Sequence, residues 1–530
     1  MRVLAGERGA TPRVHDCALW VAGIIVFVAS LVFFTQVYPL SMSNADDWLN
    51  ITKVRSGLPE WGGFNPSKVL PETLFPLAGY LAAYVVYPLS HDYLGAITLV
   101  SALVVAGAIT WYVVSFGRVL ERYAKTGAFA TACVMLVFFL CHFALLFGAL
   151  SDGGAAYLFG AYDLTGYYHY IVPALWCGAL AFSLIVRGVG LEPNDGLIEG
   201  MGRKSLGVLL IYLGMFSNLF SSIALAAFAG ASLLVDLPSL GRAHRGDATM
   251  PQAVASYARR NAALLLVIAF WLVTLAFEFS GTRASGAMSH QPLALGAVLG
   301  NLAIVWNLLY KRLLALLALC LVAYVAWHVR GASPAGEARD ARRLVVVVFV
   351  DLMLALAFSV CLSARIDPFR VVDGVTEYYI VRGDVLLAVM EAPLMLCCVG
   401  MGYALGRVRW LQVLAPLCAF ALAVTVVGNI GSYIPPVSGR MTARQDIAVT
   451  NDLIGQIVRA DSEGKSEVTV ATCRFDNPKA INWPQTPGMV ESMAHTLYVH
   501  GLTKRELTTT WYADPVLNER YGISEDIGVE

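Results

Sequence analysis

The chain has 530 residues, of which 58% are hydrophobic and 14% charged, and its 37 basic and 37 acidic residues cancel to a formal net charge of zero. Soluble proteins carry about 25% charged residues, so the composition excludes a soluble enzyme and a disordered chain, and the balanced charge leaves no basic footprint for nucleic acid. With a mean hydropathy of +0.65 and recurring apolar runs of bilayer length, the fold class is an α-helical polytopic membrane protein.

Arg2, Arg8 and Arg13 precede an apolar run from Cys17 to Tyr38. Ser43-Asn44-Ala45 faintly resembles a cleavage site. The run is longer than a signal-peptide core, however, and reads as an uncleaved first span with its N-terminus inside. The next run, Thr73–Leu89, decides the topology. If it spanned, every later basic loop would fall outside. Laid along the surface, as Pro71, Glu72 and Pro76 at its start favour, it lets the loops sort, with 19 of the 37 basic residues inside. That inner set runs from the N-terminal arginines through Arg118/Arg122/Lys125 to Arg407/Arg409.

The predicted spans are then 17–39, 94–116, 128–150, 170–187, 205–218, 221–236, 262–280, 312–330, 344–362, 384–403 and 411–430, about 11 in all. The fifth and sixth form a tight pair around Ser217-Asn218 and Ser221-Ser222. The run 293–310 is a second surface helix. An odd number of spans starting inside puts the tail outside. Residues 1–434 form the transmembrane domain, with a long outer loop over 40–93, and 435–530 form a small extracytoplasmic α/β domain. Charge agrees, since 22 of the last 96 residues are charged, a much higher density than in the body. Within the tail, Thr442–Ala460 has helical spacing and Glu467–Thr472 alternates like a strand. Met489–Val499 suits a second helix and Thr508–Tyr512 a second strand.

Nine of the ten cysteines lie in or beside apolar segments, with only Cys473 in the tail, and no CxxC or HExxH motif occurs. Buried apolar cysteine accounts for them, and a zinc site has no support.

Asp46-Asp47-Trp48 stands just past the first span. The pair is either a helix cap or a base or metal ligand at the interface, with Trp48 as membrane anchor or sugar platform. Lys68 leads into the surface helix, either snorkelling or meeting a lipid phosphate. An aromatic belt explains many residues of 151–170 but not Asp163 and His169, which suit a sugar groove. Arg365 and Arg382 lie in an outer loop where basic residues are disfavoured; they either bind an anion or pair with local carboxylates. Asn218 sits in the bent pair, and Glu278 near the outer end of its span. Asp351 and Glu391 are intramembrane acids, functional candidates by default. Counted from opposite faces, their depths keep them apart.

An inside-first span, an Asp-Asp motif opening a long outer loop, surface helices within that loop and an outer C-terminal domain together resemble the GT-C glycosyltransferases. The stretch from Asn65 through the surface helix to Arg118–Arg122 is similar to the lipid-phosphate-sugar users of that superfamily. The bacterial branch that decorates surface polysaccharides, including O-antigen glucosyltransferases, is similar as well. The resemblance implies an inverting hexosyl- or pentosyltransferase of the bacterial inner membrane. Its donor would be a polyprenyl-phosphate-linked sugar, and its acceptor a glycan or lipid-linked saccharide at the outer face. Asp46 or Asp47 would take the acceptor proton, and Lys68, Arg382 and Arg365 would meet the donor phosphate. Trp48, Asp163, His169, Glu278 and Asn218 would line the sugar and acceptor sites. A divalent cation, Mg or Mn, stays open. No nucleic-acid partner is implied, and membrane lipid surrounds the site.

Two other classes compete. Asp351, Glu391 and the broken pair near Asn218 suit a transporter or flippase of a lipid-linked sugar, although no inverted repeat is visible. A non-catalytic assembly subunit would tolerate loss of both Asp46 and Asp47.

Overall fold

The computed structural model describes residues 12–42, 44–52, 67–146, 157–161, 163–188, 201–245, 249–280, 293–330, 334–366, 370–372, 375–377, 379–433, 441–475 and 487–525. The basic and glycine-rich stretch 53–66, together with Arg2, Arg8, Arg283, His290, Asp367 and Asp373, lies outside the described residues. Ten described helices are long and apolar enough to cross a bilayer, and the chain is a helical polytopic membrane protein. Nine of the ten coincide with expected spans, and shorter helices at Ala128–Ala144 and Ser205–Met215 cover the other two.

Tyr93–Tyr123 is the central column, packed between Pro12–Val32 and Val172–Val186. At 1.5 Å per residue its 31 residues reach about 46 Å, well beyond a hydrocarbon core of about 30 Å. Asp92 starts it by accepting from Gly95 N at 2.9 Å. Leu219–Arg245 packs on Ala335–Arg365, Lys311–Val329 on Gly383–Arg407, and Leu414–Gly428 on Ala128–Ala144. Small residues set the closest crossings. A Cβ at Gly400 would stand 2.8 Å from the Cys320 carbonyl oxygen, so that contact requires glycine.

The tenth long helix is Pro71–Ser90, the run read from sequence as a surface helix. It touches the residues around Tyr168 with its first half and the tail with its second. Phe75 stacks on Tyr168 at 4.4 Å between ring centroids. Gly79 faces Ile51 and His500. The Tyr84 hydroxyl donates to the Val499 carbonyl at 2.7 Å. The helix also packs along Tyr93–Tyr123. On Leu295–Leu308 the Asn301 side chain donates to the Val360 carbonyl at 3.2 Å, and just past it Tyr310 N donates to that of Leu145 at 2.7 Å.

Elsewhere the bundle is tied by ion pairs. Glu337 meets Lys125 at 2.6 Å and Arg407 at 3.3 Å, and Asp236 meets Arg343 at 3.2 Å. Lys125, Arg343 and Arg407 are each held there by an acid.

The tail is a small βαβ unit with a supporting helix. Strands Glu467–Thr472 and Thr508–Ala513 pair in parallel, Glu467 opposite Thr508 and Thr472 opposite Ala513. Pro487–Val499 is the helix of the crossover, and Ala443–Ser462, started by a Thr442–Gln445 capping box, packs on the first strand. A parallel pair needs such a crossover. The unit docks on the membrane domain through Tyr93 Oη and His500 Nδ1, 2.6 Å apart, and through Thr496 Oγ1, which donates to the Trp48 carbonyl at 2.9 Å.

One expectation is corrected. Asp351 and Glu391 line the same void, of 10 Å³, room for about one water. Depth counted from the edges of the apolar runs misplaced Asp351, because its helix begins at Ala335 and not at 344, which puts this residue at mid-helix. Small neighbours close the helices around the pair: Ala181, Ala224 and Ala388 line the void, and a Cβ at Gly178 would collide with the Glu391 carboxylate.

Candidate active site

The short helix Ala45–Asn50 opens the site. Asn44 caps it by accepting from Asp46 N at 3.2 Å, and the Asp47 carboxylate accepts from Asn44 N, also at 3.2 Å, in a reciprocal capping box. The structure thereby separates the Asp-Asp pair. Asp47 is buried, and its Oδ1 accepts from both Thr165 N at 2.7 Å and Thr165 Oγ1 at 2.8 Å. It holds the helix against the 163–166 turn. Asp46 is exposed and close enough to Asp163 for its charge to be felt there.

Trp48 departs from the expectation of an exposed platform or anchor. It has no accessible surface. Its ring packs near Tyr93 at 6.4 Å, and its carbonyl carries the tail-domain bond from Thr496. The reason is helical geometry: the turn that puts Asp46 outward points the adjacent residues Asp47 and Trp48 into the domain junction.

Asp163 caps the next turn, its Oδ1 accepting from Gly166 N at 2.5 Å. Burial raises its pKa, and the Asp46 and Asp384 charges add to that rise. The Gly166 hydrogen bond and the Arg382 guanidinium oppose them, and the group settles at about 6.

Arg382 is the cation of the cluster and is 9% exposed. Its Nε and Nη2 donate to Asp384 Oδ1 and Oδ2 at 3.0 and 2.5 Å. The guanidinium lies over the rings of Tyr170 at 4.6 Å and Tyr379 at 5.4 Å. This is the planar, bidentate, stacked use of arginine that lysine does not reproduce. The Tyr170 hydroxyl shares a hydrogen bond with the Asn218 side chain, and the Tyr170 carbonyl accepts from Ser221 Oγ at 2.9 Å. Lys68 N approaches the Ser217 carbonyl at 3.4 Å, which brings the start of the surface helix to the same place. Lys68 holds a left-handed backbone at φ 64°, a rare conformation for a lysine that turns the chain sharply into that helix.

Asp46 and Arg382 thus both act on Asp163 through their charges, Arg382 reaches Asn218 through Tyr170, and the Lys68 backbone meets Ser217 beside Asn218. His169 is buried in the π-helical turn Tyr167–Ile171. Glu278 and Arg365 are half-buried in the last turns of Ala262–Ser280 and Ala335–Arg365. Sequence reasoning missed Asp384 and Tyr170 as partners of Arg382. The signal was present in Arg382-Gly383-Asp384, an acid in the first turn of a helix beside an outer arginine.

Among the described residues no group of three His, Cys, Asp or Glu is placed to hold an ion. The charge between Asp163 and Asp384 is already balanced by a guanidinium, so a divalent cation does not fit this cluster. No family model and no curated protein matches the chain. The chemistry of the site therefore rests on its own residues.

Proposed function

We propose that the chain is an inverting glycosyltransferase of the GT-C kind. It moves a sugar from a polyprenyl-phosphate donor to a glycan or lipid-linked acceptor at the outer face of a bacterial inner membrane. The observation that carries this reading is the proximity of the exposed Asp46 carboxylate and the buried Arg382 to Asp163. The sorting of Lys125, Arg343 and Arg407 with the other inner basic residues of the sequence supports a cytoplasmic placement for their loops.

In this reading Asp46 accepts the acceptor O–H proton. The acceptor oxygen forms a bond to the anomeric carbon on the face opposite the phosphate. The anomeric C–O bond breaks with its electron pair going to the phosphate oxygen, and polyprenyl phosphate leaves. Arg382 and Lys68 oppose the charge that grows there, the kind of preorganised stabilisation that contributes roughly 10²–10³ in rate per group. Asp47 holds the helix that carries Asp46.

A second reading, a transporter of the lipid-linked sugar, is favoured by one observation, the Asp351–Glu391 void in the bundle. Liposomes loaded with a polyprenyl-phosphate sugar on one leaflet separate the two. Release of polyprenyl phosphate, dependent on acceptor and lost in Asp46→Asn, supports transfer. Movement of intact donor between leaflets, lost in Asp351→Asn but not in Asp46→Asn, supports transport.

A further inference from the structure

Between the helix Ala45–Asn50 and the tail domain lies an open pocket of 530 Å³, within the roughly 300–1,000 Å³ of small-molecule sites. Asp46 and Trp48 belong to its membrane-domain wall, and Glu491, His495 and Glu506 to its tail-domain wall. Neither domain makes the pocket alone.

Its chemistry is one-sided. Three carboxylates face it, and among the described residues no lysine or arginine lines it. His495 does not reverse this, because its Nδ1 is already 2.8 Å from Glu506 Oε1. A phosphorylated, sulfated or uronate ligand would meet repulsion on both walls. Carboxylates are acceptor-only groups, so the complementary ligand is one rich in O–H donors. Trp48 adds a buried apolar ring to the wall.

We propose that this pocket is the acceptor site and that it takes a neutral, polyhydroxylated oligosaccharide, with the tail domain supplying half of the recognition. The inference rests on the transfer reading, because Asp46 is both the pocket wall and the base. An acceptor hydroxyl seated in the pocket would meet Asp46. The tail is an acceptor gauge, selecting against anionic glycans through Glu491 and Glu506.

The test is binding, read apart from turnover. The full chain in nanodiscs is titrated with maltotetraose, cellotetraose, chitotetraose and tetragalacturonate, and saturation transfer to the sugar is read by NMR. At least one neutral tetrasaccharide should bind with a millimolar Kd or better, and tetragalacturonate at least tenfold more weakly. Glu491→Ala with Glu506→Ala should weaken the neutral ligand at least tenfold at an unchanged melting temperature. Glu491→Lys, a surface change that leaves the fold intact, should narrow or reverse the preference against tetragalacturonate. Equal binding of neutral and anionic ligands, binding untouched by the double variant, or no binding by any of the four overturns the proposal. Transfer lost in Asp46→Asn without neutral-glycan binding refutes the pocket and keeps the enzyme. Binding as described, with transfer untouched by Asp46→Asn, refutes the base assignment and keeps the pocket.

Discussion

Arg382 grips Asp384, two residues along the chain, through both carboxylate oxygens, with the guanidinium held against the rings of Tyr170 and Tyr379. The acid is fully buried and the arginine nearly so. Breaking a buried pair from one side leaves an uncompensated charge, at a cost of about 3–5 kcal/mol. Asp384→Ala should therefore lower the melting temperature sharply. Arg382→Lys keeps the charge and loses the fork and the stacking. It should lower donor turnover by ~10²-fold with a much smaller change in stability. Thermal unfolding in nanodiscs and polyprenyl phosphate release measure the two effects.

Asp46 and Asp47 should part company on mutation. Asp47→Ala removes the capping box and both bonds to Thr165, a loss of about 2–4 kcal/mol. Asp46→Asn should leave the stability within about 0.5 kcal/mol of wild type and lower transfer by ~10²–10⁴-fold, the worth of a positioned base. Equal thermal effects of the two substitutions would contradict the separation.

Asp163 titrates near 6 in the folded protein against an ordinary value of 3.8. The folded state holds that proton more tightly than the unfolded state. The stabilisation is complete below pH 3.8 and is lost as pH rises through about 6. Asp163→Asn keeps an oxygen for Gly166 N and removes the titration. Relative to wild type, the variant should gain ~1–2 kcal/mol between pH 4 and 7, discounted for partial exposure. Paired melting curves across that range measure it, and a flat difference would contradict it.

His500 runs the other way. Burial against Tyr93 pushes its imidazole down to about 4 from an ordinary 6.5. The undocked tail binds a proton that the docked tail refuses. Docking is fully stable above pH 6.5 and weakens as the pH falls toward 4, by up to ~3 kcal/mol. Hydrogen exchange over Pro487–Val499 should rise on acidification in wild type. It should lose that pH dependence in His500→Gln.

The sequence made the helices legible because a bilayer demands long apolar runs, and Pro71–Ser90, read as a surface helix from where the arginines fall, is among those long and apolar enough to cross. The two strands of the tail followed from their alternation, whereas their parallel pairing came only from the structure. Side-chain partnerships were less legible. Asp46 and Asp47 are chemically identical, and only the helix face decides which is buried. Trp48 read as an interface residue because tryptophan is common there, whereas docking of the tail covers it. The Asp351–Glu391 neighbourhood depends on helix ends extending past the apolar run, which hydropathy does not mark. The acceptor pocket joins residues more than 400 positions apart, beyond any local pattern.

The central claim is that Asp46 is the base of a glycosyl transfer, and the most direct test is a single-turnover assay. Wild type and Asp46→Asn are compared in nanodiscs on a panel of polyprenyl-phosphate sugars with the glycan that binds most tightly. Wild type should release polyprenyl phosphate in step with a product of inverted anomeric configuration, and Asp46→Asn, equally stable, should release at least a hundredfold less. Release at the wild-type rate by Asp46→Asn, or a product of retained configuration, would contradict the account.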